Sequence, residues 1–567
     1  MQIRDSLETL VDRAIADAIQ DGSLALDEAP PAALERPRDA ANGDWASTVA
    51  LRCAKAAGGN PRQIAQAIVE HLPANELVAA TDIAGPGFIN FRLADSALQG
   101  VVAAVRAERD SYGKGTVPEG ERRVNLEYIS ANPTGPMHVG HGRWAALGDS
   151  MARVMRHGGY EVFEEFYVND HGTQMDVFGN SIAVRYLQLL GQDVAMPEDC
   201  YGGAYVTDLA QAIIDRDGDK YLGLSEDERR IALREIGYRE MLDAQRSLLE
   251  RFHTTFDRWF SERDLYIPDA EGRTAVSRAL QAMEDKGYVY RREGATWFAS
   301  TEFGDDKDRV LIKANGELTY FMSDVAYHYD KIGRGFDRLI DIWGADHHGY
   351  IKRCEAMMEA WGHPGMLEVV LGQLVNLLRD GQPVRMSKRT GEMVTFEELV
   401  DEVGVDATRF LMLSRSSDQM IDFDIEVAKK QDSSNPVYYV QYAHARICSL
   451  LRKAAGTDEG TADELAARAI PAGTDLAVLT DPSELALMRK LDDFGELIAL
   501  AARDRAPFRL THYAQELAAL FHQFYANCRI VGEDPAVQDA RLALADAARI
   551  VLALTLSLLG VSAPERM

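Results

Sequence analysis

The stretch from Val124 to Asp149, V-N-L-E-Y-I-S-A-N-P-T-G-P-M-H-V-G-H-G-R-W-A-A-L-G-D, constrains this chain more than any other. Val124 to Ile129 is β-branched and aromatic and reads as a short buried strand carrying one acid, Glu127. Asn132, Pro133 and Gly135 break the strand, and Gly140 to Ser150 reads as the start of a helix. A strand that feeds a glycine-rich turn and a helix amino terminus suits an anion, because unpaired N–H groups and the positive end of the helix dipole face outward. His138-Val139-Gly140-His141 sets this turn apart. Its two imidazoles can each donate to phosphoryl oxygens, and the glycine between them lets the backbone come close. Two other readings share these residues. Gly140, Gly142 and Ala145 satisfy G-x-G-x-x-A with Glu164 further on, the fingerprint of a dinucleotide oxidoreductase, a weak pattern by itself. A metal site would need a nearby Cys or carboxylate to complete the two histidines, and none follows in the turn.

A second motif lies far downstream: Arg385-Met386-Ser387-Lys388-Arg389-Thr390-Gly391. A basic, small, glycine-ended loop can lie over a polyphosphate, where its cations offset charge that develops on leaving pyrophosphate. Alone it would be an ordinary solvated turn. Paired with H-V-G-H, it points to nucleotidyl transfer.

With both motifs in view the sequence resembles a class I aminoacyl-tRNA synthetase. His138 to His141 is similar to the "HIGH" signature, and Arg385 to Arg389 to the "KMSKS" loop. Arginine replaces the first lysine and the last serine of that loop, while Lys388 is kept. Arg385 retains the charge with a different donor geometry. Further stretches narrow the resemblance to the arginyl-tRNA synthetase family of bacterial type: S-A-N-P-T-G-P-M-H-V-G-H, F-Y-V-N-D at 166–170, Y-F-M-S-D-V-A-Y-H at 320–328, W-G-A-D-H-H-G-Y at 343–350 and Y-V-Q-Y-A-H-A-R at 439–446. It extends over essentially the whole chain.

The fold class this implies is α/β: a Rossmann-like parallel-sheet catalytic domain, an α+β N-terminal domain and an all-α C-terminal anticodon-binding bundle. Helical spacing of Leu7, Leu10, Val11, Ala14, Ile15, Ala18 and Ile19 and the alternation Phe88 to Leu93 place the α+β unit at 1–112, and the family uses it to contact the tRNA corner. Tyr112 to Gly120 reads as a linker. The catalytic domain is expected over 121–380, with a helical insertion at about 175–300 and with Leu311–Tyr320 and Leu339–Trp343 as further strands of its sheet. The signature loop and connecting helices follow at 381–432, and the helical bundle at 433–567. The stretch between His141 and Arg385 is too short for a large editing domain, and a guanidinium with five donors needs none, since analogues lacking those donors are rejected strongly.

The resemblance also implies roles. His138, Gly140 and His141 hold ATP phosphates, with Gly344, Asp346, His347, Met386, Ser387 and Lys388 completing the nucleotide site. Lys388, helped by Arg385, stabilises departing pyrophosphate. Glu127 and Asp324 face the guanidinium of L-arginine, Tyr320 packs its side chain, Asn132 holds its α-amino group, and Asn169 lies nearby at a strand end. Tyr439, Tyr442 and Arg446 meet the anticodon loop of tRNA(Arg), where unstacked bases favour aromatic and arginine partners. The expected reaction is arginyl-adenylate formation from ATP, with magnesium brought by ATP and no protein-bound zinc, followed by transfer to tRNA.

Net charge is −28, opposite in sign to a simple nucleic-acid footprint. Net charge governs nonspecific association, however, so it implies weak nonspecific RNA binding and locally concentrated cations. Five scattered cysteines without a C-x-x-C pair argue for a reducing compartment. The longest apolar tract, Ile550 to Ala563, is too short to span a bilayer. A cytoplasmic monomer with no membrane partner is expected. A smaller nucleotidyltransferase would share H-x-G-H without needing the helical final third, and a noncatalytic relative would not need the signature cations.

Overall fold

The computed structural model describes residues 3–28, 30–37, 39–384 and 394–567. The segment holding Arg385, Met386, Ser387, Lys388 and Arg389 lies outside the described residues.

The first helix, Ile3–Gln20, buries Leu7, Val11, Ala14, Ile15 and Ala18 of the predicted face, while Leu10 and Ile19 lie half-buried at its edge. Helices Val49–Ala57, Pro61–Glu70 and Asp95–Glu108 accompany an antiparallel sheet in which Phe88–Leu93 pairs with both Trp45–Ser47 and Val78–Ala84. The segment expected to be a linker is packed: Tyr112 is buried, and its hydroxyl donates to the Leu491 carbonyl at 3.0 Å.

The catalytic sheet has five parallel strands: β1 (Arg123–Glu127), β2 (Glu161–Val168), β3 (Arg258–Ser261), β4 (Arg338–Gly344) and β5 (Leu367–Gly372). Their spatial order is β5-β4-β1-β2-β3. The chain therefore winds outward one way from β1 and the other way from β4, and between those two strands lies the crevice where open α/β sheets bind ligands. The register sets Glu127 of β1 between Asp341 of β4 and Glu165 of β2.

Helix α1 (Val139–His157) crosses from β1 to β2. It starts earlier than the sequence suggests, directly after His138, while β1 stops short of Ile129. Ile129 and Ser130 have φ of 68° and 43°, a left-handed conformation costing roughly 1–3 kcal/mol per residue. The Ser130 hydroxyl holds the turn by donating to Glu127 at 2.9 Å while accepting the Tyr167 N–H at 3.1 Å.

Two expectations need correction. The region 175–300 is not wholly a helical insertion: after helices Thr173–Leu189, Ala204–Asp217 and Glu226–Arg251 the chain returns to add β3 to the main sheet. Leu311–Tyr320 does not join that sheet either. Arg309–Ile312 pairs antiparallel with Ala295–Phe298, which pairs with Val289–Arg292, in a separate three-stranded sheet. An apolar alternation does not name its partner strand, and the turn at Gly316 leads straight into helix α2 (Tyr320–Gly333).

After β5 come β6 (Val375–Arg379) and β7 (Ile421–Asp424), a parallel pair in a small sheet completed by the short antiparallel strand Gln382–Pro383 and separated in sequence by helices Phe396–Val403 and Val405–Met412. The remainder is helical, principally α3 (Pro436–Ala455), α4 (Pro482–Arg503), α5 (Phe508–Asn527) and α6 (Pro535–Leu558). Asn435 caps α3 and Pro436 opens it, as the boundary at Asn435-Pro436 suggests. The tract from Ile550 is core, buried along α6. Buried Arg409 joins this bundle to the catalytic fold, donating to the carbonyls of Leu559 (2.9 Å) and Phe252 (2.7 Å) and pairing with Asp149 of α1. Among the described residues no helix is long and apolar enough to cross a membrane.

Candidate active site

His138 and His141 sit at the first turn of α1, beside the crevice. Their rings stack with centroids 3.6 Å apart, and the His138 N–H donates to Nδ1 of His141 at 3.2 Å. That bond leaves the His141 proton on Nε2, available to a ligand oxygen. Burial pushes the His141 imidazole down to about 3 and lowers that of His138 as well, so both act as neutral donors near pH 7. Gly140 allows the stacking: a Cβ there would stand 2.9 Å from the His138 ring. The free N–H groups of the helix start complete an anion-binding turn.

The chain emerging after residue 393 is fastened to the same turn. Thr395 bridges His138, the Phe396 N–H donates to the Met137 carbonyl at 2.9 Å, and the Phe396 ring lies so close over Gly142 that a Cβ would stand 2.5 Å from it.

Behind the turn, the carboxyl ends of β1 and β4 and the inner face of α2 hold a concentration of buried charge. Lys331 of α2 donates to Glu127 at 2.6 Å and to Asp341 at 2.9 Å. His328 donates Nδ1–H to the Asp324 carbonyl at 2.9 Å and meets Asp341 at 3.3 Å through Nε2. Asp341 raises the His328 imidazole above its ordinary value despite burial, and holds Lys331 protonated. Asp324 receives only the Tyr350 hydroxyl, at 2.7 Å, among the side-chain bonds described for it. Burial, with the charges of Glu127 and Asp341 adding to it, pushes its carboxyl up to about 6. Of the three carboxylates around Lys331 and His328, Asp324 is the one without a cation even with His328 protonated, and buried Glu262, held by the Tyr266 hydroxyl and repelled by Asp324, adds a further acid.

The other predicted residues fall around this pocket with differing exposure. Tyr320 opens α2 one turn before Asp324 and is 78% exposed, standing at the mouth and not packed within. Glu127 is already engaged on both oxygens, by Lys331 and Ser130. Asn132 is exposed in the turn after β1, and its backbone carbonyl accepts from Gln245. Asn169 follows β2 at the same sheet edge. Gly344 ends β4, with Asp346 and His347 exposed on the short helix Ala345–Tyr350 beyond it. Arg385, Met386, Ser387 and Lys388 are outside the described residues. Glu164, the acid of the dinucleotide fingerprint, is buried within the fold and bound by Tyr128 and Arg156, so it offers nothing to a ribose. Among the described residues no group of three or more His, Cys, Asp or Glu is placed to hold a metal ion.

Sequence reasoning missed Lys331, His328 and Tyr350, which all carry the electrostatics of the pocket. A lysine and a histidine in Y-H-Y-D-K look like helix surface, and only the tertiary fold turns them inward.

In the C-terminal bundle Tyr439, Tyr442 and Arg446 do come together. They line a cavity of about 670 Å³ with Tyr438, His522 and Tyr525. Arg446 lies 4.3 Å from the Tyr525 ring centroid, and Tyr438 stacks with Tyr442.

A doubly wound sheet whose first crossover helix opens on H-V-G-H, followed by an aromatic-lined helical bundle, defines a class I aminoacyl-tRNA synthetase. Residues 104–448 match the family described as tRNA synthetases class I (R), catalytic domain. Residues 5–93 match the arginyl tRNA synthetase N terminal domain, and 440–567 the DALR anticodon binding domain. The arginine–tRNA ligase of Heliobacterium modesticaldum is 45% identical, over 100% of this chain and 99% of its own. That of Moorella thermoacetica is 47% identical, over 98% and 97%. The structure of Thermus thermophilus arginyl-tRNA synthetase superposes with a TM-score of 0.73 at 24% identity, covering 99% of this chain and 100% of that one. The chain belongs to the arginyl-tRNA synthetase family.

Proposed function

We infer the reaction and its division of labour from this membership together with the geometry of the pocket. The protein is an arginine–tRNA ligase: it activates L-arginine with ATP and charges tRNA with the arginyl group. The observation that carries the substrate assignment is the anionic surplus at the β1–β4 crevice. A half-buried carboxylate raised to about 6 is held out of its ordinary state until a cation arrives, and a guanidinium offers a planar, permanently charged partner. We assign Asp324 as its direct partner, with Glu127 setting the local charge through Lys331, Tyr320 covering the mouth, and Asn132 and Asn169 serving the amino-acid backbone.

ATP lies with its phosphates on the first turn of α1, where His138, Gly140 and His141 supply neutral donors, and with its nucleoside toward Gly344, Asp346 and His347. The arginine carboxylate attacks the α-phosphate, the α-phosphate bond to the β-phosphate oxygen breaks, and pyrophosphate leaves. The protein contributes position and charge stabilisation rather than a covalent nucleophile. Lys388 neutralises the leaving pyrophosphate, aided by Arg385, with Met386 and Ser387 beside the nucleotide. The attachment of Thr395 and Phe396 at the histidine turn supports this, since only six residues lie between Lys388 and Thr395. Magnesium arrives with the ATP phosphates, its preferred ligands.

Residues 1–112 contact the tRNA corner, 121–380 perform catalysis, 381–432 carry the signature loop and connecting helices, and 433–567 receive the anticodon. The cavity around Tyr439, Tyr442 and Arg446 suits an unstacked base of the anticodon loop of tRNA(Arg), by ring stacking and guanidinium contact. The five cysteines, all free, fit a cytoplasmic enzyme, and we take the working unit to be a monomer.

The test is arginine-dependent ATP–pyrophosphate exchange in the presence of tRNA. Lys388→Ala should lower the exchange rate by on the order of 100-fold or more while changing arginine binding little. An unchanged rate would remove Lys388 from the mechanism.

A further inference from the structure

Arg143, on the second residue beyond His141, has no part in the chemistry above, yet its setting is unusual. It is 1% exposed, and among the described residues Asp418 acts on it as an opposite charge without forming a hydrogen bond to it. All its described bonds go to backbone carbonyls. One terminal nitrogen donates to Gln373 (2.6 Å) and Leu374 (3.3 Å), the other to Ser416 (2.9 Å) and Gln419 (2.7 Å). Burial pushes its pKa down to about 10, with the charge of Asp418 opposing only in part. Keeping a charge so placed is costly, and space alone could be filled by a neutral side chain.

The two segments it binds adjoin each other: the Gln373 N–H donates to the Ser417 carbonyl at 2.8 Å, and the Ile421 N–H to the Leu374 carbonyl at 3.3 Å. Gln373 and Leu374 continue directly from Gly372, the last residue of β5, which pairs with Gly344 at the end of β4. The neighbouring Trp144 presses on Gly372 so closely that a Cβ there would overlap the indole. Consecutive residues of α1 therefore grip the backbone that leaves the sheet on the nucleotide side.

We infer that Arg143 is a positioning residue for adenylate formation: its planar guanidinium fixes the Gln373–Leu374 backbone against the first turns of α1, and so sets the span between the histidine turn and the strand edge that ATP occupies. The inference rests on the ATP site described above. A guanidinium suits the task because its rigid fork presents donors to four carbonyls at once, whereas an ammonium has three donors in tetrahedral array.

Arg143→Lys keeps the charge and loses the fork. In the full-length enzyme with tRNA present, ATP–pyrophosphate exchange is measured against ATP at saturating arginine and against arginine at saturating ATP, alongside hydrogen exchange of the backbone at 372–376 and 414–421. The expected result is a loss on the order of 10- to 100-fold in kcat/KM for ATP, an arginine KM within about twofold of the parent, and faster hydrogen exchange confined to those two segments. Should the lysine variant not fold, Arg143→Gln, which buries no charge, is read by the same split. Unchanged ATP parameters would overturn the inference. So would ATP and arginine parameters falling together with hydrogen exchange rising throughout the catalytic domain, the pattern of a merely structural residue. A parent enzyme lacking arginine-dependent exchange would overturn the ligase reading itself, and this inference with it.

Discussion

Replacing Asp324 by Asn should make the protein more stable and a poorer enzyme at once. Burial lifts this carboxyl from 3.8 to about 6, and the neighbouring charges of Glu127 and Asp341 push the same way. That difference corresponds to roughly 3 kcal/mol between its two protonation states. A carboxyl whose folded-state pKa lies above the unfolded value stabilises the fold when protonated. The contribution is complete below about pH 3.8 and is lost as pH rises through about 6. At pH 7.5 the parent therefore carries an ionised group that its fold disfavours. Asparagine has the same shape, still accepts from the Tyr350 hydroxyl, and bears no charge. It should recover up to about 3 kcal/mol at pH 7.5, less whatever solvent at the partly open site already screens, and nothing below pH 4. Against that gain, a bound guanidinium loses a charge-assisted hydrogen bond worth about 1.5–3 kcal/mol, or about 10- to 150-fold in kcat/KM for arginine. Urea unfolding at pH 4 and pH 7.5, paired with tRNA-supplemented pyrophosphate exchange, reads both effects. A variant no more stable than its parent at pH 7.5, or one with unaltered arginine kinetics, would refute the reasoning.

Two other outcomes follow from the same pocket. Lys331→Met strands Glu127 and Asp341 without their shared cation and should destabilise the protein by about 3–5 kcal/mol at pH 7.5, measured by urea unfolding; a loss under about 1 kcal/mol would show that the pair is not held as described. Because burial pushes His141 down to about 3, it gains no proton between pH 6 and 8. The ratio of parental to His141→Gln exchange rates should accordingly stay flat over that range, and a ratio that climbs across pH 6–8 would mean that a protonated imidazole does the work.

Much of this architecture was legible before folding, and what escaped did so for identifiable reasons. The β1-turn-α1-β2 unit follows from an apolar strand, a glycine-proline break and a helix ending at Gly158, all local features. The opening helix follows from periodicity, and the structure buries most of the predicted face. Pairing choice did not follow: the alternation at Arg309–Ile312 is the same whether its neighbour is β4 or Ala295–Phe298, and only the turn geometry decides. The left-handed pair Ile129–Ser130 left no trace in residue type, since a β-branched residue is the last one expected there. At the site, Glu127 and Asp324 were found as acids, but the counter-charges Lys331 and His328 look like exposed helix until α2 lies on the sheet. Arg143 was invisible as a clamp because every acceptor it uses is a main-chain carbonyl, which any sequence would supply. His522 and Tyr525 reach the bundle cavity from α5, a helix remote in sequence from Tyr442.

The most direct measurement is charging of total bacterial tRNA with each of the twenty amino acids in turn, each radiolabelled, by the purified protein with ATP and magnesium. A pocket with a surplus of carboxylates beside a phosphate-holding histidine turn predicts acid-precipitable label with arginine and none above background with the other nineteen, lysine included. Label from any other amino acid, or none from arginine, would contradict it.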